Sequence, residues 1–110
     1  MPVTNLTNAE LKQLLANESD LQVLDVRTPE EWQHLGHLPQ ARLFPIYELL
    51  DRLSELDKDK KTVVICEHGV RSHDASHYLH LRAGFSHVYN LTHGMSDWDG
   101  ERVIPAQINS

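Results

Sequence analysis

The chain has 110 residues, of which 40% are apolar and 24% charged, and its formal net charge is -6. That length suits a single domain, residues 1–110, around one core, and the composition is that of a globular chain rather than a disordered one. The acidic balance gives no general attraction for nucleic acid or an anionic membrane, and no basic run or basic-aromatic stripe offsets it.

Met1-Pro2-Val3-Thr4-Asn5 lacks the basic and apolar regions of a secretory signal. No apolar run approaches the roughly 20 residues that cross a bilayer. A single cysteine excludes an internal disulfide and fits a reducing compartment, so a cytoplasmic location is expected. It also raises the question of a nucleophile.

In chain order, Thr7 with Glu10 three residues later forms a capping box, and Leu11, Leu14 and Leu15 continue at helical spacing. Leu21 to Val26 read as a strand with both faces covered. Thr28-Pro29-Glu30-Glu31 is a second capping box with proline at the first helical position, opening a short helix that Gly36 and Pro39 close. Ala41 to Phe44 make a short strand. Ile46, Leu49, Leu50, Leu53 and Leu56 then predict an amphipathic helix, followed by a polar turn at Asp57 to Lys60. Thr62 to Ile65 form the strongest strand and run directly into Cys66. Glu67 to Arg71 read as a loop, and Ser72 opens a helix to about Ala83, stopped by Gly84. A last strand lies around Val88 to Asn90. Alternation of this kind predicts a parallel α/β sheet.

In such sheets ligands gather beyond the carboxyl ends of the strands, where Cys66 stands. The loop Cys66-Glu67-His68-Gly69-Val70-Arg71-Ser72 leads into a helix N-terminus, so its backbone N–H groups can converge as an anion-binding nest. Gly69 permits the tight turn, Arg71 brings a permanent positive charge and Ser72 a hydroxyl suited to capping. Such surroundings favour a thiolate. A cysteine ending a strand is otherwise often buried and inert. Gly, Arg and Ser at these offsets favour function.

The loop is similar to the C-x-x-G-x-R-S pattern of the rhodanese family. Leu24 to Trp32 resemble that family's first signature and Gly36-His37-Leu38-Pro39-Gln40-Ala41 its G-H-I-P-G-A segment. Ala75, Leu79, Gly84-Phe85, Val88 to Leu91, Gly94 and Trp98 extend the likeness over nearly the whole chain. Gln40 and His93 stand where the family usually has glycine, which bears on local turns. The resemblance implies a central, mostly parallel sheet of about five strands with helices on both faces. It implies a sulfurtransferase in which Cys66 takes a sulfane sulfur from a donor such as thiosulfate and passes the persulfide sulfur to cyanide or a thiol, the thiol of a protein partner included, with no cofactor. Glu67 to Ser72 would bind substrate.

Two other readings share these residues. Cysteine phosphatases and arsenate-reductase-like enzymes place five residues between nucleophile and arginine; here Glu67, His68, Gly69 and Val70 make four, a ring better sized for sulfur. A non-catalytic rhodanese-like binding module is disfavoured by the intact Cys66 and complete loop. His73, His77 and His80 form one helical stripe, the spacing of a zinc site, but with no second ligand cluster they read as solvated and no metal is expected. Asp25 and Arg27 share one side of a strand end and read either as a pair supporting the loop or as a charged, solvated strand terminus. Glu67 and His68 are expected at the pocket mouth, with Glu67 opposing anionic donors. Trp32 and Trp98 read as packing residues.

Overall fold

The computed structural model describes residues 3–105. Five strands, β1 (Val3–Leu6), β2 (Gln22–Asp25), β3 (Arg42–Leu43), β4 (Thr62–Ile65) and β5 (Val88–Leu91), form one sheet. The order is β1-β5-β4-β2-β3 and every pairing is parallel. β4 therefore lies at the centre, and the carboxyl ends of β2, β4 and β5 open on the same edge.

Four helices connect them: α1 (Asn8–Asn17), α2 (Pro29–Leu35), α3 (Ile46–Leu49) and α4 (Val70–Arg82). α1 and α2 start where the sequence predicts, with both halves of each capping box formed at Thr7/Glu10 and Thr28/Glu31. The sheet separates two apolar layers according to the two-residue strand period. Val64 and Cys66 face a layer with Leu24, Val26, Phe44, Ala75, Leu79 and Phe85, beneath α4. Val63 and Ile65 face Leu6, Leu11, Val23, Leu91, Met95 and Trp98, beneath α1.

Three expectations need correction. β1 was not foreseen; it pairs with β5 from Val3↔Val88 to Leu6↔Leu91, with its two end residues buried and its two middle residues exposed. The helix expected over Ile46 to Leu56 is α-helical only through Leu49 and continues as a 3-10 segment, Leu50–Glu55. Ile46 and Leu50 are exposed, while Leu49 is buried and Leu53 and Leu56 pack against the core. The three-residue step from Leu53 to Leu56 fits the tighter helix. Finally, α4 starts at Val70 rather than Ser72, with Gly69 as its cap at φ 90°. Arg71 and Ser72 therefore lie in its first turn, and the Ser72 hydroxyl points inward instead of capping.

Gln40 and His93 keep negative φ, so neither turn requires the glycine. No helix among the described residues is long and apolar enough to cross a membrane.

Candidate active site

The loop after β4 closes on its own first residue. Cys66 Sγ accepts hydrogen bonds from the backbone N–H of Gly69 at 3.1 Å and of Ser72 at 3.2 Å. The anticipated nest thus has two amides on the sulfur, one from the turn and one from the first turn of α4. The Ser72 hydroxyl lies 3.2 Å from Sγ on the inner side. Cys66 is 1% exposed, so the sulfur sits on the floor of the site, below exposed His68 and Val70.

Gly69 is required here twice over. Its φ of +90° is one that side-chain-bearing residues rarely adopt, and an added Cβ would lie 2.0 Å from the Thr92 carbonyl oxygen. Gly94 has the same function from the opposite side: a Cβ there would meet the Glu67 and Cys66 carbonyl oxygens at 2.4 and 2.6 Å. That close approach lets Met95 N–H donate to the Cys66 carbonyl and Ser96 N–H to the Glu67 carbonyl, both at 2.9 Å. The segment after β5 thereby braces the loop.

Beneath the loop lies a buried ion network. The Arg27 side chain is fully buried and donates to both oxygens of Asp25, to Glu67 Oε1 at 2.9 Å and to the Gly36 carbonyl at 2.7 Å. Burial alone would lower the Arg27 pKa. The hydrogen bonds and charges of Asp25 and Glu67 outweigh it and hold the guanidinium above its ordinary range. Asp25 and Arg27 thus form the supporting pair. Glu67 departs from expectation, because its charge at the mouth is matched by Arg27 rather than presented to an incoming anion.

Arg71 departs similarly. It makes a bidentate pair with Glu31 at the start of α2, at 2.9 and 2.8 Å, tying together the N-termini of α2 and α4. Two N–H groups are so engaged and the rest of a five-donor guanidinium stays available, with 36% of the side chain exposed. The hydrogen bond from Arg71 is the largest influence on Glu31, assisted by Thr28, and lowers its pKa from 4.5 to about 2 despite partial burial. The sign follows directly. A carboxylate with a lowered folded-state pKa stabilises the fold fully above its ordinary value, and the contribution disappears as pH falls from about 4.5 through about 2. Glutamine at this position preserves the capping box while removing the charge. Chemical denaturation is therefore expected to find the native protein more stable than Glu31→Gln at neutral pH by about 1 kcal/mol or less, since the pair is partly exposed. The difference should close on acidification; a difference independent of pH would dissociate the clamp from Glu31 ionisation.

Of the residues singled out from sequence, Cys66, Glu67, His68, Gly69, Val70, Arg71, Ser72, Asp25 and Arg27 are brought to one end of the sheet. His73 and His77 pack ring to ring at 4.4 Å, and His80 Nδ1 is bonded to the Phe85 carbonyl at the end of α4. No group of three metal-ligating side chains occurs among the described residues. Trp98 is buried in the layer beneath α1, and Trp32 stacks on His37 at 3.4 Å. Glu31, Asn90 and Gly94 were not assigned to the site by sequence reasoning. Gly94 alone left a signal, as a glycine in the turn that follows the last strand, three residues past Leu91.

A parallel α/β sheet presenting one thiol within an amide-lined loop defines a class of cysteine-dependent folds. The family within it follows from comparison. A family model for the rhodanese-like domain matches residues 7–101, and the chain belongs to that family. It is 35% identical over 96 residues to a sulfurtransferase of Allochromatium vinosum, covering 87% of this chain and 88% of that protein. It is 34% identical over 93 residues to the thiosulfate sulfurtransferase GlpE of Pseudomonas aeruginosa, covering 84% and 81%. The crystal structure of a rhodanese-like domain protein from Staphylococcus aureus matches with a TM-score of 0.80 and 33% identity, over 92% of this chain and 97% of that one. The Allochromatium and Pseudomonas relatives are both named sulfurtransferases, which supports sulfurtransferase activity at the level of the family.

Proposed function

We propose that this chain is a single-domain cytoplasmic sulfurtransferase that carries a sulfane sulfur as a persulfide on Cys66. The observation that carries the reading is the sulfur-centred loop, in which two backbone N–H groups and the Ser72 hydroxyl surround Sγ. The two amides are donors already aimed at the sulfur, placed to hold the negative charge of a thiolate or a persulfide. In the first half, the Cys66 thiolate attacks the outer sulfur of thiosulfate. The S–S bond of thiosulfate breaks with both electrons leaving on sulfite, and Sγ gains a terminal sulfur. In the second half, cyanide or a thiolate attacks that terminal sulfur, and the Sγ–S bond breaks to return the Cys66 thiolate. One difficult transfer becomes two easier displacements.

Within this scheme Glu67 to Ser72 form the substrate-facing loop. Arg71 supplies charge to an anionic donor through the N–H groups that Glu31 leaves open, while Asp25 and Arg27 hold the floor. The reaction as written draws on no metal or cofactor.

Steady-state kinetics with thiosulfate and cyanide test the proposal. The native protein is expected to give the parallel double-reciprocal lines of a double displacement; intersecting lines would require both substrates to bind together. Arg71→Ala should raise the KM for thiosulfate and lower kcat/KM about tenfold, the low end for a charge-assisted bond, because Glu31 already engages part of the guanidinium. Attack on the persulfide should change less. An equal loss in both halves would make Arg71 only the tie between α2 and α4.

A further inference from the structure

Behind the sulfur runs a chain of polar side chains drawn from α4, β5 and β1. Ser72 Oγ lies 3.2 Å from Cys66 Sγ and 2.5 Å from Asn90 Oδ1, and Asn90 Nδ2 lies 3.2 Å from Asn5 Oδ1. Ser72 is fully buried and Asn90 is 2% exposed, so neither can exchange a lost partner for water. Asn5, at the far end, is exposed.

The bonds share one direction. The thiol faces Ser72 Oγ, the Ser72 hydroxyl donates to Asn90 Oδ1, and the Asn90 amide donates to Asn5 Oδ1. Every side-chain proton points away from the sulfur. That arrangement is complete only while the sulfur carries a proton. Once the proton leaves, sulfur can only accept, and the Ser72 hydroxyl is the side-chain donor beside it. If the hydroxyl turns to the sulfur, Asn90 Oδ1 loses its donor in a buried setting, which is costly.

An amide removes that conflict. A half-turn of the Asn90 side chain exchanges oxygen and NH2 with little heavy-atom movement, so Asn90 donates to Ser72 Oγ while its oxygen faces Asn5. Asn5, being exposed, can turn its own amide in solvent. A carboxylate accepts only and an apolar side chain does neither, whereas an amide completes both settings.

We propose that Asn90 is a positioning residue: its amide reverses the Cys66–Ser72–Asn90–Asn5 chain when the sulfur loses its proton, turning the Ser72 hydroxyl onto the sulfur anion. The inference rests on Cys66 being the sulfur carrier and adds how the site accommodates both protonation states. The ionisable groups around the loop are Asp25 at the end of β2 and Arg27 after it, Glu31 on α2, Glu67 and His68 in the loop, and Arg71 and His73 on α4; the variants below leave all of them in place.

Two measurements test it on the full chain, with the thiolate generated by raising pH and followed by its ultraviolet absorbance, corrected with Cys66→Ser. In isotope-labelled native protein, the Asn90 amide protons should show nuclear Overhauser contacts to the Asn5 side chain in the thiol form and to the Ser72 β-protons in the thiolate form. Contacts that stay on Asn5 throughout overturn the proposal. Asn90→Asp, which can only accept, should hold the hydroxyl off the sulfur. It should raise the thiolate midpoint by about one pH unit more in the native background than in Ser72→Ala, a tenfold coupling between the two positions. Equal shifts in both backgrounds would mean the charge acts without Ser72, and would also overturn it. Neither measurement uses a sulfur donor, so failure of persulfide formation and failure of the Asn90 reversal are read separately.

Discussion

Cys66→Ser is expected to abolish thiosulfate:cyanide sulfur transfer, with a loss of at least about a thousandfold, the scale seen when a covalent nucleophile is removed. A serine hydroxyl cannot hold a sulfane sulfur, and no other cysteine exists in the chain to replace it. The fold should survive. The serine oxygen can still accept from the Gly69 and Ser72 amides that now serve Sγ, so a buried polar atom is not left unpaired. A stability loss of about 1 kcal/mol is expected by denaturant titration. Substantial residual turnover by the folded variant would place the chemistry on another residue.

The largest effect on stability is expected from Arg27→Met. Methionine fills much of the same volume, but it removes the only guanidinium among the hydrogen-bond partners of Asp25 and leaves that carboxylate 1% exposed in the interior. Glu67 and the Gly36 carbonyl lose their donor as well. Breaking a buried pair from one side costs about 3–5 kcal/mol, a large part of the 5–15 kcal/mol typical of a domain. The paired variant Arg27→Met/Asp25→Asn should recover part of the loss, because no unmatched buried charge then remains at Asp25. A single variant destabilised by less than about 1 kcal/mol would show that the network is not what supports the loop.

These two residues mark how far the sequence can be read. Cys66 was legible because the features that define it are local: a β-branched strand, a tight Gly69 turn and a following helix occupy eleven consecutive positions from Thr62 to Ser72. The capping boxes at Thr7 and Thr28 were legible for the same reason, as each closes within one turn. The partners of the charged loop residues were not. Arg27 meets Glu67, and Arg71 meets Glu31, across forty residues of chain, and only the strand order β5-β4-β2 brings them together. β1 escaped because four residues with two polar, exposed members carry almost no periodic signal. Its reality depends on β5, which supplies the pairing. The helix start shifted by two residues because Gly69 turns the chain early, freeing Ser72 to face inward to Cys66 and Asn90.

The central claim is that Cys66 accepts and holds one sulfur atom, and intact-mass spectrometry tests it most directly. After incubation with thiosulfate and removal of excess reagent, the protein should gain the mass of one sulfur atom. Proteolysis should place it on the peptide carrying Cys66, and brief treatment with cyanide or dithiothreitol should remove it, with thiocyanate appearing in the cyanide case. Cys66→Ser should show no gain. A native protein that remains at its unmodified mass under these conditions, or one whose added sulfur lies on a peptide lacking Cys66, would contradict the account.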